Sequence, residues 1–399
     1  MDSRRVIGVS LDAGAGEIEV LLADVAGIGL DCRVHAIVSH VAPTLRMVGA
    51  SGGRDRSPES PFTPGSHTDP HAIADRVMDA IKGLIQRAAV PLDQVVLISL
   101  TVGDGQATSD EGLIAARLAE LSGVTVVMGF AARDRAAGGR GRAVGTLIDW
   151  MVASDQRFSR IVVHFDYVTR VTILPAATGP SRVRSFEVGP GIGLLDALAA
   201  AFSQGRPPVD SRGMLAVQGR QIKPLVRRWA THPFLRQAPP KALSSLDFAG
   251  PFVGETLQLA VERGWSVADV LCTATHFVAA CPADAVRQFV LREQSIEQVI
   301  VVGRGTQNGF LLRMLEEQFA DAGITTIALA DIARDTYEAM AAAVLGCLAL
   351  DGVSANLPGV TGAIGPRLLG QFVPGSIRSW QRCVEWIQRA VKLVATRAA

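Results

Sequence analysis

The sequence predicts an α/β fold made of two similar halves, and three observations predict it. Apolar residues make up 48% of the 399-residue chain and charged ones 19%, which leaves ample material for buried sheets and helices. Strand-like runs alternate with stretches of helical periodicity. Near residue 157 the opening pattern of strand, Asp-containing turn and strand starts again, a candidate internal duplication.

Residues 4 to 12 (RRVIGVSLD) and 17 to 25 (EIEVLLADV) read as strands joined by the turn AGAG, so that Asp12 ends a strand and faces the bend. Between Pro43 and Pro70 the chain is too polar and too broken by Gly, Ser and Pro to pack, which predicts a long mobile loop or insertion. Ile73, Val77, Ile81, Leu84 and Ile85 then sit at helical spacing over 71 to 88, ahead of the strand VVLISL. A helix over 112 to 122 leads to a strand over 124 to 128, and residues 143 to 154 read as helical. FSRIVVHFDYVTRVTILPA is strand, break at Asp166, strand. In EVGPGIGLLDAL, Gly189, Pro190, Gly191 and Gly193 precede a helix over 194 to 202; such a turn either presents backbone donors to an anion or simply connects strand to helix.

Residues 206 to 250 read as a Pro-containing helical excursion, and Val267 to Phe289 as largely helical. VIVVGRGTQNGFLLRMLEEQF is strand, glycine turn and helix, in which Asn308 either caps the helix or joins its free amides in receiving a nucleotide. Over 376 to 399, Trp380, Val384, Ile387, Val391 and Val394 form one stripe with basic residues between. Such a stripe docks on its own domain or, as the sharper alternative, on a partner or membrane surface. The division expected is therefore 1–155, 156–375 and a C-terminal amphipathic helix, 376–399.

A net charge of +1 argues against a nucleic-acid partner, and no apolar run approaches the roughly 18 to 20 residues of a membrane span. Five scattered cysteines fit a reducing compartment, so a cytoplasmic location is expected. His67 and His71 share a loop, but no further ligand lies nearby, and no metal site is assigned.

VVMGFAARDRAAGGRGRAVG poses the sharpest question. Asp134 stands among Arg133, Arg135, Arg140 and Arg142, ahead of Gly138, Gly139 and Gly141. It is either a base held beside a tight glycine turn or a loop acid neutralised by its arginines.

The two Asp-bearing hairpins and the strand, glycine turn and helix at 299 to 319 resemble the sugar kinase, Hsp70 and actin superfamily, which implies two actin-like (ribonuclease H-like) domains with a central interdomain cleft. RDRAAGGRGRAVG, FEVGPGIGLLDAL, the PPK at 239 to 241, VVGRGTQN, RDTYEAMAAAVLG and NLPGVTGAIGPRLLGQFVPG resemble, in order and spacing, the anhydro-N-acetylmuramic acid kinase family. That resemblance implies opening of a 1,6-anhydro sugar by water with phosphorylation at O6, using ATP and Mg2+, in peptidoglycan recycling. It implies a sugar as the small-molecule partner and a homodimer. It puts Asp134 on the catalytic base and Gln106, Arg133 and Glu338 on the sugar side. The nucleotide side would use Gly8, Ser10, Asp12, Gly14, Asp166, Gly189, Gly191, Gly303, Gly305 and Asn308.

The chain departs from the family pattern at several points. Ile7 and Val9 replace hydroxyl residues, HFDY (164–167) replaces Asn-Ile-Gly-Gly, and Ile192 replaces an asparagine. Ala242 to Ser245 stand where Ser-Thr-Gly-Arg follows PPK, Arg140 replaces a glutamine, and Asp104 a histidine. These departures keep open a second reading, a non-catalytic kinase-fold protein with a degenerate ATP site that binds a sugar, a nucleotide or a protein.

Overall fold

The computed structural model describes residues 3–12, 17–43, 69–103, 110–203, 211–243, 245–328 and 336–398. The first half contains β1 (Ser3–Asp12), β2 (Glu17–Ala26), β3 (Arg33–Pro43), α1 (Pro70–Ala88), β4 (Val95–Val102), α2 (Glu111–Ser122), β5 (Val126–Met128), α3 (Phe130–Ala136) and α4 (Thr146–Ala153). The second contains β6 (Arg160–Phe165), β7 (Val168–Leu174), β8 (Arg184–Pro190), α5 (Ile192–Phe202), α6 (Lys223–Trp229), α7 (Pro233–Arg236), α8 (Ser245–Arg263), α9 (Val267–Phe289), β9 (Gln298–Val302), α10 (Gly309–Ala320) and β10 (Thr325–Ile327). The chain closes with α11 (Tyr337–Leu350), α12 (Pro358–Thr361), β11 (Gln371–Val373) and α13 (Ile377–Ala398). Most of the loop expected over 43 to 70 lies outside the described residues, as do Gly14 and Gln106.

The duplication is explicit in the sheets. The first runs β11-β5-β4-β1-β2-β3 and the second β10-β9-β6-β7-β8. Each is built on three consecutive antiparallel strands, with two later strands added in parallel on the far side of the first. This is the actin-like order expected, repeated once. β3 and β8 complete the two meanders and were not read as strands from the sequence. Polar residues interrupt the alternation in both RVHAIVSHVAP and RSFEVGP.

Helices cover both faces of each sheet. On the first, α1 and α2 pack over one face through Val77, Ile81, Leu84, Ile114 and Leu118. On the second, α5, α9 and α10 pack over one face. Between the sheets lies a shared core in which α4 and α11 meet Val6, Leu21 and Leu97 of the first sheet and Val162, Leu174 and Ile300 of the second. Helix α11 has almost no polar face, as a helix flanked by two sheets should. It crosses β1 so closely that a Cβ on Gly8 would overlap the Ala339 carbonyl. Ser99 Oγ donates to the Ala342 carbonyl at 2.5 Å on β4.

The end of the chain returns to the first sheet. Strand β11 pairs antiparallel with β5, and α13 buries Cys383, Trp386 and Ala390 against the same half. Trp386 Nε1 donates to Asp351 (2.8 Å), whose other oxygen holds Arg4 at 2.7 Å in a fully buried ion pair. The face of α13 that docks on its own molecule is Ser379, Cys383, Trp386 and Ala390, beside the expected stripe rather than on it: Trp380 and Ile387 pack partly against the core, while Val391 is exposed. Among the described residues no helix is long and apolar enough to cross a membrane.

Candidate active site

Asp134 lies in α3, which begins after the left-handed Gly129, and its side chain is wholly buried. Gly141 N–H donates to Oδ2 at 2.9 Å, and Asn356 Nδ2 donates to Oδ1 at 2.9 Å. Gly139 crosses directly over the carboxylate, where any Cβ would overlap Oδ2. The turn is clamped to the segment 356–367: Arg140 N–H donates to the Thr361 carbonyl, Ile364 N–H to the Ala137 carbonyl, and Arg367 N–H to Asn356 Oδ1 (2.6 Å). Two motifs more than 200 residues apart thus form one unit.

The arginines do not neutralise Asp134, contrary to one sequence expectation. Arg133, Arg135 and Arg140 are exposed. The first two are its immediate neighbours on a helix, and adjacent helical positions point about 100° apart. Arg140 donates to the Val360 carbonyl, while Arg142 reaches the Leu243 carbonyl (2.6 Å) and Glu187 (3.4 Å).

A second buried carboxylate, Asp149 on α4, organises a polar network between the sheets. It receives Thr172 Oγ1 (2.6 Å), Tyr337 Oη (2.7 Å) and Arg170 (3.2 Å), and it lies 3.0 Å from His164 Nε2. Burial alone would raise its pKa, but the charges of His164 and Arg170, with the Thr172 hydrogen bond, hold it well below the carboxylate range. Burial and Arg170 oppose protonation of His164, but Asp149 and Glu338 outweigh them and its pKa rises.

Glu338, in the first turn of α11, places Oε1 3.4 Å from His164 Nδ1, and its side chain is about one-third exposed (34%). With Asp166 these residues bring three ligand-type atoms within 4.8 Å of one another. Arg170 Nη2 already lies 3.1 Å from that same His164 nitrogen, so an added cation there would meet a guanidinium, and the cluster is best understood as a satisfied network.

The third feature joins the halves. Arg304, inside the glycine turn after β9, places Nε 2.6 Å from Glu17 Oε2 at the start of β2. Its Nη2 lies 3.2 Å from Asp196 on α5.

The residues expected on the nucleotide side fall around the same turns. Ser10 and Asp12 end β1, and Asp166 sits at the β6–β7 bend with Oδ1 3.4 Å from the Arg304 amide. Several expected anion donors are occupied: Gly191 N–H donates to the Tyr167 carbonyl and Ile192 N–H to the Asp166 carbonyl (2.7 Å). Gly189, Gly191 and Gly305 are small because Cys281, the Asp166 carbonyl and Phe165 press against them, and Gly303 has φ +88° beside Asp166. Asn308 caps α10, accepting from Leu311 N–H at 3.0 Å. Asn356, Asp149, His164, Arg170, Tyr337, Glu17 and Arg304 were not singled out as site residues in the sequence; the signal available was that Asn356, Tyr337 and Arg304 lie in motifs of the resemblance and His164 in a departure from it.

The model of the family described as anhydro-N-acetylmuramic acid kinase matches residues 104–375. A relative of that description from Acaryochloris marina is 30% identical over 381 residues, covering 92% of this chain and 99% of its own. The chain belongs to the anhydro-N-acetylmuramic acid kinase family. A second relative, from Salinibacter ruber, is 36% identical over 259 residues, 65% of each chain. Among solved structures, an activator of 2-hydroxyisocaproyl-CoA dehydratase from Clostridium difficile with bound ADPNP aligns with a TM-score of 0.43 and 10% identity over 86% of this chain and 94% of its own. The non-catalytic alternative finds no support in these relatives. Within the anhydro-N-acetylmuramic acid kinase family, the matched span holds both halves of the Asp134 unit, the turn at 138–141 and the segment carrying Asn356.

Proposed function

We propose that this chain is an ATP-dependent sugar kinase that opens the 1,6-anhydro ring of a cell-wall amino sugar with water and phosphorylates O6. The observation that carries the reading is the carboxylate of Asp134, fixed by two neutral donors in a motif of the matched family. Asp134 takes a proton from the water that attacks the anomeric carbon. The bridging oxygen leaves as O6 and accepts the γ-phosphoryl group, with ADP departing. Its two oxygens are oriented by neutral donors and by no cationic partner, which leaves the carboxylate's geometry set for proton transfer. Because the side chain is wholly buried, water reaches Oδ2 only when the turn at 138–141 lifts from it.

The nucleotide would lie between the hairpin end of β1–β2 and the turns at Asp166 and Gly303. Asp166 would supply a carboxylate oxygen to magnesium, which would screen the phosphates, whereas Glu17 and Asp196 already engage the Arg304 guanidinium. Glu338 would face the sugar, oriented by His164 and behind it Asp149.

The test is phosphoryl transfer to 1,6-anhydro-N-acetylmuramic acid with ATP and magnesium, following ADP release and the 6-phosphate product. Transfer lost in Asp134→Asn but kept in Arg142→Ala is the expected outcome. Absence of transfer by the unmodified chain overturns the reading.

A further inference from the structure

We propose that Arg304 is a phosphate-binding residue of the nucleotide site. Glu17 of the first half holds it as a latch across the two halves, with Asp196 beside it in its own half, until phosphate takes the guanidinium. The inference rests on the reading of this cleft as a nucleotide site and names a residue of that site. Arg304 follows Gly303, whose positive φ (+88°) turns the chain sharply at the end of β9, and its side chain is only 12% exposed.

From there it spans to the other half. Nε and Nη2 address both oxygens of Glu17, at 2.6 and 3.4 Å, and Nη2 also meets Asp196 Oδ2 at 3.2 Å. Glu17 opens β2, immediately after the hairpin bend that would approach the phosphates from the first half. A guanidinium fork fits phosphate oxygens as well as carboxylate oxygens, and arginine is a common choice for both.

A polyphosphate entering beside this bend therefore meets Arg304, already engaged by the carboxylates of Glu17 and Asp196. Binding exchanges Glu17 for phosphate on the same guanidinium and breaks the contact between the halves. Two effects of opposite sign follow. Removing the Glu17 charge frees Arg304 for phosphate and lessens repulsion, so phosphate-bearing ligands bind more tightly. Removing the Arg304 charge leaves Glu17 and Asp196 facing the phosphates, so the same ligands bind more weakly.

Calorimetry of the full chain with magnesium and a non-hydrolysable ATP analogue, and in parallel with adenosine, tests this. In Glu17→Gln the analogue is expected to bind about fivefold more tightly, and in Arg304→Gln about tenfold more weakly, with adenosine unchanged in both. Arg304→Lys should recover part of the loss, which a merely structural role would not produce. Glu17 lies at a strand end with its side chain 30% exposed, so its variant reports even where Arg304→Gln fails to fold. Unchanged analogue affinity in the variants overturns the assignment of Arg304 while leaving the nucleotide reading standing. Binding of neither ligand by the unmodified chain removes the nucleotide reading and Arg304 with it.

Discussion

Asp134 and Asp149 lie fifteen positions apart, on successive helices, and both are fully buried. Their surroundings are opposite in kind. Asp149 is ringed by Arg170, His164, Thr172 and Tyr337, so its charge is spent inside the protein. Asp134 has an amide side chain and a backbone N–H from a glycine turn. A buried carboxylate neutralised by cations serves the core, whereas Asp134 is held by neutral donors alone, as the base of the proposed reaction would be.

That comparison can be broken at several points. The largest effect is expected at Asp149→Ala, which strands Arg170 and His164 between the sheets. Urea unfolding should show a loss of about 3 to 5 kcal/mol, and a loss under about 1 kcal/mol would mean that the network is not the keystone described. Next, Asp134→Asn keeps shape and one acceptor oxygen, so stability should fall by only about 1 kcal/mol. Its kcat should drop by roughly 10²- to 10⁴-fold. Equal effects of the two substitutions on stability would erase the distinction.

A smaller effect belongs to Gly139→Ala. Its Cβ must displace the Asp134 carboxylate or the turn, so a destabilisation of about 1 to 3 kcal/mol is expected. Activity should fall along with it. Wild-type stability would show that the turn already stands clear of Asp134.

The mildest test is pH. The folded pKa of His164 is raised, so its contribution is complete below the unfolded value of about 6.5 and is lost as pH rises through the folded value. The folded pKa of Asp149 is depressed, so its contribution is complete above about 3.9 and is lost as pH falls through the folded value. Unfolding midpoints of the wild-type chain should therefore decline from about pH 6.5 upward. That decline should be absent in His164→Gln; a persisting decline would assign it to another group.

Much of the scaffold was legible in the sequence. The helices at 70–88 and 267–289, both hairpins and the restart near 157 follow from periodicity and glycine placement, which act over a few residues. Legibility failed where a residue's meaning depends on something distant. The glycines of EVGPGIG looked like anion donors, but their spacing is equally that of a turn pressed against Asp166, Cys281 and Tyr167. The arginines beside Asp134 looked like its partners because they are near in sequence, yet a helix sends neighbours in different directions.

The sequence by itself determined most of the helices, the two hairpins and which segment carries the candidate base, because those depend on local backbone preference and on the period of apolar residues. Tertiary structure alone decided that Asn356 reaches Asp134, that Tyr337 and Arg170 converge on Asp149, and that Arg304 meets Glu17 across 287 positions. Those pairings arise when two sheets close on α4 and α11. Burial then forces each polar group to find a partner, and the partners within reach are fixed by packing geometry, whatever their order along the chain.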